Sequence, residues 1–226
     1  MTDYTQHGEQ KYFLEVLGYD ASVRHEENCP CAFCGNPGRL LEIGAWEPKT
    51  FSNSRALIEL GWEAVLFEPS PGPLKKLLEE YRDNPRVTVV GLPVTTSTSG
   101  FPVRLKVTDD ALSSDECNAE HFKTWSGYPF YGTLTTIPMN MGFALSYFGP
   151  FDFISIDTEG GSVDLFVDLC LCNFITYLPR CVVVEHNERW AEMKAACEKA
   201  GYHPLHHPDG SIMNFGGCNV ILERGK

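Results

Sequence analysis

The chain has 226 residues, 43% hydrophobic and 12% aromatic, with a formal net charge of -12. This is enough apolar matter for one domain with a real core, and the acidic balance excludes the basic footprint of a duplex-binding protein. No apolar run approaches the ~20 residues of a membrane span, and the polar start MTDYTQHGEQKYF lacks the apolar stretch of a secretory signal, so neither nucleic acid nor membrane is expected as a partner and a cytoplasmic location is expected.

In chain order, residues 9–18 read as a helix closed by Gly18. Residues 19–38 are polar and irregular and hold His25, Cys29, Cys31 and Cys34. Four soft ligands in a loop rich in proline and glycine suit a structural, tetrahedral Zn²⁺; the competing reading is three free thiols. The chain has nine cysteines, and an odd count argues against a disulfide framework. The scattered ones read as small core residues.

Residues 39–44 form a first strand, and 50–60 a helix that starts at Thr50 or Ser52 and is stopped by Gly61. A second strand follows at 63–67, a proline-started helix at 71–81 and a β-branched third strand at 86–92. Residues 101–107 read as a strand outside the alternation. Residues 108–132 read as an excursion or lid, whose Trp125, Tyr128, Phe130 and Tyr131 either stack on an acceptor or simply pack. A short helix at 139–148 precedes a fourth strand, 151–156, which ends at Asp157. Then come a helix at 163–173, a fifth strand at 181–184 ending in Glu185-His186, and a helix capped by Asn187 and stopped by Gly201. A hairpin of 202–207 and 217–223 closes the chain, with surface histidines at 203, 206 and 207.

This alternation predicts an α/β three-layer sandwich around a Rossmann-like, mainly parallel sheet with a C-terminal antiparallel hairpin. Residues 1–38 would be an N-terminal helix and Cys-rich segment over the site, and 39–226 the catalytic domain. Ligands on such sheets lie beyond the carboxyl ends of the strands. Gly44, Glu68, Leu92, Asp157 and Glu185 therefore share one rim.

The segment LLEIGAWEPKTFSNSRALIELGWEAVLFEPS narrows the ligand. An acid closing the second strand of a βαβ unit grips ribose hydroxyls, and Glu68 is so placed. A nicotinamide dinucleotide also needs a glycine-rich turn whose N–H groups reach the pyrophosphate. Here the turn is Gly44-Ala45-Trp46-Glu47-Pro48-Lys49, with one glycine and a proline that has no N–H. S-adenosylmethionine carries no phosphate, and Glu42-x-Gly44 followed by Glu68 suits it. The terminal hairpin likewise fits the sheet of class I methyltransferases better than a dinucleotide fold.

At this point the chain resembles the FkbM family of S-adenosylmethionine-dependent methyltransferases. The matching pieces are Tyr4-x-Gln6-x-Gly8-Glu9, EIGAWEPKTFSNS, GWEAVLFEPSP, LTTIPMN, FDFISIDTEG and VVVEHN. The resemblance implies methyl transfer to a sugar hydroxyl or a similar small-molecule or glycan acceptor. It assigns the cofactor to Gly44, Ala45, Ser52 and Glu68, sets Asp157 and Glu159 facing the reaction, and gives Gln6 to a segment folding over the cofactor. Two departures stand out: Pro48 occupies a position that is usually glycine, and the cysteine cluster is not part of the pattern.

Asp157 and Glu159 can complement a cationic sulfonium, and either can take the proton of a hydroxyl acceptor; the plainer reading of Asp157 is a helix cap. His186 is either a general base near neutrality or a hydrogen-bonded structural histidine. Asp157, Glu159 and Glu185 are alternatively hard oxygen ligands for Mg²⁺. The rival readings of the whole are an inactive cofactor- or partner-binding module of the same fold and, behind it, an NAD-dependent oxidoreductase.

Overall fold

The computed structural model describes residues 1–20, 22, 37–96, 102–107, 114–115, 132–171 and 178–225. In chain order the elements are α1 (Gln10–Leu17), β1 (Arg39–Ile43), α2 (Arg55–Glu59), β2 (Glu63–Phe67), α3 (Pro71–Glu80), β3 (Val87–Val90), β4 (Val94–Thr95), β5 (Val103–Val107), β6 (Ser114–Asp115), β7 (Gly132–Thr136), β8 (Met139–Asn140), α4 (Met141–Phe148), β9 (Phe153–Ile156), α5 (Ser162–Leu171), β10 (Cys181–Glu185), α6 (Trp190–Ala200), β11 (Tyr202–Pro204), β12 (Asn214–Phe215) and β13 (Asn219–Arg224).

The main sheet runs β11-β13-β10-β9-β1-β2-β3, with β12 added alongside β13. The pairs from β10 through β3 are all parallel, whereas β13 lies antiparallel to β10, β11 and β12. This is the mainly parallel sheet with a terminal antiparallel hairpin that the alternation predicts.

The strands are apolar on both faces because helices cover both. Leu41, Ile43, Val65, Phe67, Ile154, Ile156, Val182 and Val184 face one core, packed by residues of α4, α5 and α6. The intervening Leu40, Ala64, Leu66, Phe153, Cys181 and Val183 face the other, packed by α1, α2 and α3. Cys170, Cys181 and Cys197 are buried, as small core residues. Residues of β5, β6 and β7 form a separate antiparallel sheet.

Two helix starts differ from expectation. α2 begins at Arg55, not at Thr50 or Ser52, because the preceding amides are committed elsewhere. The Ser52 N–H donates to the Tyr4 carbonyl at 3.0 Å and the Asn53 N–H to Glu42 Oε1 at 2.9 Å. Asn187 does not cap α6: it sits at φ 43, and the helix starts three residues later at Trp190 after a turn. The proposed zinc ligands His25, Cys29, Cys31 and Cys34, and the aromatic residues of 125–131, lie outside the described residues. Among the described residues, no helix is long and apolar enough to cross a membrane.

Candidate active site

The strand order reverses at β1, which has β2 on one side and β9 on the other, and the crevice beyond their carboxyl ends is where a parallel sheet binds ligands. Gly44 leaves β1 at φ 83, and a Cβ there would sit 1.6 Å from the Asp157 carbonyl oxygen. The Asp157 N–H donates to the Ile43 carbonyl at 2.9 Å, which holds the two turns together. Only glycine allows this approach.

The N–H groups of the first turn are largely spent inside the protein. Those of Gly44 and Ala45 both donate to the Phe67 carbonyl at 3.0 Å, and that of Trp46 donates to Glu68 Oε2 at 2.9 Å. Pro48 has none to give. The run from Gly44 to Trp46 therefore offers no nest of amides to a pyrophosphate. The charged residues of the turn are tied to α3: Lys49 and Arg55 pair with Glu80 at 2.9 and 2.7 Å, and Glu47 pairs with Lys76.

Side chains alternate along a strand. Continuing the alternation of Leu40, Leu66, Phe153 and Val183 puts Glu42, Glu68, Asp157 and Glu185 on the α1–α3 face. Glu42 is buried, with Oε1 taking the Asn53 N–H and Oε2 without a hydrogen-bond partner. Burial pushes it up to about 8, aided by the charge of Asp157 and opposed by hydrogen bonds from Ser54 and Asn53. Asn53 also donates to Ser155 Oγ at 3.0 Å, so one side chain ties β1 to β9 behind the site.

Glu68 is buried and held by two backbone N–H groups, those of Trp46 and Ser70, the latter at 2.7 Å. Burial raises its pKa and these bonds oppose the rise. Each oxygen keeps a lone pair, so the carboxylate is oriented and still able to accept two hydroxyls.

Burial raises Asp157 well above the ordinary range, reinforced by Glu185, Glu9 and Glu68. Burial and then the Glu159 charge bring Glu185 to about 7, against hydrogen bonds from Asn187, Asp157 and Ser162. Asp157, Glu159 and Glu185 offer oxygens that lie within 4.8 Å of one another. This is a donor set for one hard cation, or for carboxyl groups that share protons.

Glu9 is a site residue that the sequence did not single out by itself. It is fully buried at the start of α1 yet makes no helix cap. Instead its oxygens take the His7 N–H at 2.9 Å and Asn219 Nδ2 at 2.8 Å. Residues Tyr4 to Glu9 thus form a strap that starts on the Ser52 turn and ends on β13. The Tyr4 hydroxyl adds a 2.9 Å bond to Glu59, and His7 lies 3.8 Å from Cys218 Sγ. Gln6 is on this strap and exposed. Ser52 is buried under it, with its Oγ accepting from the Arg55 N–H and 3.2 Å from Ser54 Oγ.

His186 continues the other alternation, that of Val182 and Val184, while Glu185 beside it belongs to the acids and lines the same pocket. His186 is 5% exposed; Nε2 lies 3.1 Å from Asn214 Oδ1, and Nδ1 is buried without a partner. It lines a pocket of about 270 Å³ with Gly160, Ser162, Val163, Glu185 and Asn187. Arg189 clamps the neighbouring turn with bonds of 2.9 Å to Asp164 and 2.7 Å to Glu192.

Among the described residues, the non-glycine residues with positive φ are Trp46, Phe51, Glu159, Asn187 and Glu188. All belong to turns leaving β1, β9 or β10 at the same rim. Strain of this kind persists where the surrounding structure over-determines it, and it marks sites.

No protein-family model and no curated protein matches the chain. Solved structures do resemble it. One is the methyltransferase FkbM from Methylobacillus flagellatus, at 12% identity and TM-score 0.49, with 82% of this chain covering 43% of that one. Another is a precorrin-6y C5,15-methyltransferase from Geobacter metallireducens, at 12% identity and TM-score 0.47, covering 100% and 93%. A third is a TehB-like S-adenosylmethionine-dependent methyltransferase from Corynebacterium glutamicum, at 10% identity and TM-score 0.42, covering 96% and 95%. The chain spans less than half the length of the first. By its own layers and strand order it has the Rossmann-like fold of class I methyltransferases.

Proposed function

We propose that this chain is an S-adenosylmethionine-dependent methyltransferase of FkbM type that methylates a hydroxyl of a sugar or a similar small-molecule or glycan acceptor. The observation that carries the reading is the disposition of the first turn. The N–H groups of Gly44, Ala45 and Trp46 are turned onto Phe67 and Glu68 and Pro48 has none, which leaves a ribose-gripping acid but no run of successive amides to cradle a phosphate. An adenosine cofactor without a pyrophosphate fits that turn, and a nicotinamide dinucleotide does not.

S-adenosylmethionine, when bound, supplies an electrophilic methyl group on a sulfonium. Glu68 would hold the ribose hydroxyls, Gly44 and Ala45 would let the cofactor approach the backbone, and Glu42 would brace the turn through Asn53. Asp157, with Glu159, Glu185 and Glu9 near it, complements a positive charge. Much of the rate would come from holding two reactants in line.

The three-carboxylate group supports a second reading of its own occupancy, a Mg²⁺ ion held by Asp157, Glu159 and Glu185, because their oxygens already lie within 4.8 Å of one another. Titrating chelator-treated protein with MgCl₂ decides between ion and shared proton: stoichiometric heat that disappears in Asp157→Asn supports the ion, and no heat supports the proton.

The cofactor reading is tested by calorimetric titration with S-adenosylhomocysteine, with NAD as control. Micromolar binding of the former alone is the expected result. Binding of NAD, or of neither, overturns it.

A further inference from the structure

The loop from Lys49 to Phe51, which continues the first turn, is exposed throughout. A loop that buries so little is held by its polar contacts. These lead outward to three side chains. Lys49 Nζ donates to Glu80 at 2.9 Å, the Pro48 carbonyl accepts from the Tyr81 hydroxyl at 3.4 Å, and the Ser52 N–H donates to the Tyr4 carbonyl at 3.0 Å. Glu80 and Tyr81 stand at the end of α3, and Tyr4 begins the strap.

Arg55 meets all three. Its Nη1 donates to Glu80 at 2.7 Å, and its guanidinium carbon lies 5.8 Å from the centres of both the Tyr4 and the Tyr81 rings. Its Nε donates at 2.8 Å to Glu59 Oε1, the same oxygen that takes the Tyr4 hydroxyl at 2.9 Å. Its backbone N–H donates to Ser52 Oγ at 3.1 Å. The side chain is 15% exposed, so these charge-assisted bonds are screened less than those of the open surface. One planar cation thus serves two carboxylates and two aromatic rings at once, which a lysine cannot do.

We propose that Arg55 is the positioning residue that couples the strap to the cofactor turn, so that the docking of Tyr4 and the binding of the cofactor favour one another. This coupling rests on the methyltransferase reading for what the turn holds, but the contacts that make it do not. Without the guanidinium, Glu59 and Glu80 lose the cation they share, and the strap and the loop keep contacts that no longer meet. Coupling of this kind is reciprocal: whatever Tyr4 adds to cofactor affinity, the cofactor adds to the docking of Tyr4.

The test is a double-mutant cycle on the whole protein. It is read by calorimetry with S-adenosylhomocysteine and by hydrogen exchange of the Ser52 amide, whose acceptor is the Tyr4 backbone. The variants are Tyr4→Ala, Arg55→Met, Arg55→Lys, and Tyr4→Ala combined with each. S-adenosylhomocysteine should slow Ser52 exchange about tenfold in the native protein and not in Arg55→Met. Tyr4→Ala should weaken S-adenosylhomocysteine about tenfold in the native protein, the scale of one hydrogen bond to a charged group. Where Arg55 is already Met the same change should cost no more than about twofold, the limit of simple additivity. Arg55→Lys keeps the charge and loses the fork, so it should fall between, and it serves as the background if Arg55→Met does not fold. A merely structural arginine would lower the melting temperature and leave the two losses additive. Additive losses, or a Ser52 amide indifferent to S-adenosylhomocysteine in the native protein, overturn the coupling. Failure of S-adenosylhomocysteine to bind the native protein counts instead against the methyltransferase reading. The strap is then read without ligand: the Arg55 variants should speed Ser52 exchange about tenfold, and an unchanged rate overturns the role given to Arg55.

Discussion

Gly44 and Asp157 are so close that a β-carbon on the first would lie 1.6 Å from the carbonyl oxygen of the second. The two residues end β1 and β9, neighbouring strands at the point where the strand order reverses. Their contact sets the depth of the crevice. It also makes the glycine a requirement of the fold as well as of the ligand.

Gly44→Ala should therefore destabilise the protein by about 3 kcal/mol or more, since strain at a positive φ of 83° is added to a backbone clash. Chemical denaturation measures this directly. A loss below about 1 kcal/mol would show that the two turns can separate.

Glu68→Gln should weaken S-adenosylhomocysteine binding by about tenfold or more, because an amide has only one acceptor for the Trp46 and Ser70 N–H groups and the ribose. Calorimetry on a variant that melts normally tests it. Unchanged affinity would remove Glu68 from the ribose site.

The pH dependence of stability follows from burial. The Glu42 pKa is raised to about 8 from an ordinary value near 4.5, so the folded state holds a proton that the unfolded state releases. Its stabilising contribution is complete below the unfolded value and is lost as pH rises through about 8. Glu185, raised to about 7, acts in the same sense and is lost earlier. The melting temperature should fall between pH 6 and 9, and Glu42→Gln, which cannot ionise, should flatten the upper part of that fall. An unaltered slope in the variant would place the titration elsewhere.

Asp157→Asn should abolish methyl transfer while leaving stability equal or higher, because it removes one member of a crowded set of carboxyl groups. Melting curves and a radiolabelled methyl assay together separate this from unfolding. A folded, active variant would end the role given to Asp157.

Much of this architecture was legible in the residues. The β-branched and apolar runs from Leu40 to Val184, spaced by helices that glycine stops, specify a covered parallel sheet, and the strand-end acids then fall on one rim by topology alone. Ser52 looks like a helix start because a capping side chain does not reveal that the nearby amides are claimed by Tyr4 and Glu42, and Asn187 because it does not reveal the turn at positive φ that precedes Trp190. Glu9 could be quoted as part of a motif, but an acid before a helix looks the same whether it is solvated or locked to Asn219. His186 was legible as a rim residue, yet the face its strand position gives it follows only from the strand alternation. Asn214 had no signal at all, because its partner is 28 residues away.

The strap from Tyr4 to Glu9 has a bearing on synthesis. Glu9 finds its partner in Asn219, 210 residues later. During translation the first turn of α1 leaves the ribosome long before β13 exists, so the buried acid must wait in water until the closing strand arrives. A nascent chain halted before Asn219 would hold the parallel strands but lack β13, and with it both the antiparallel edge of the sheet and the partner of Glu9.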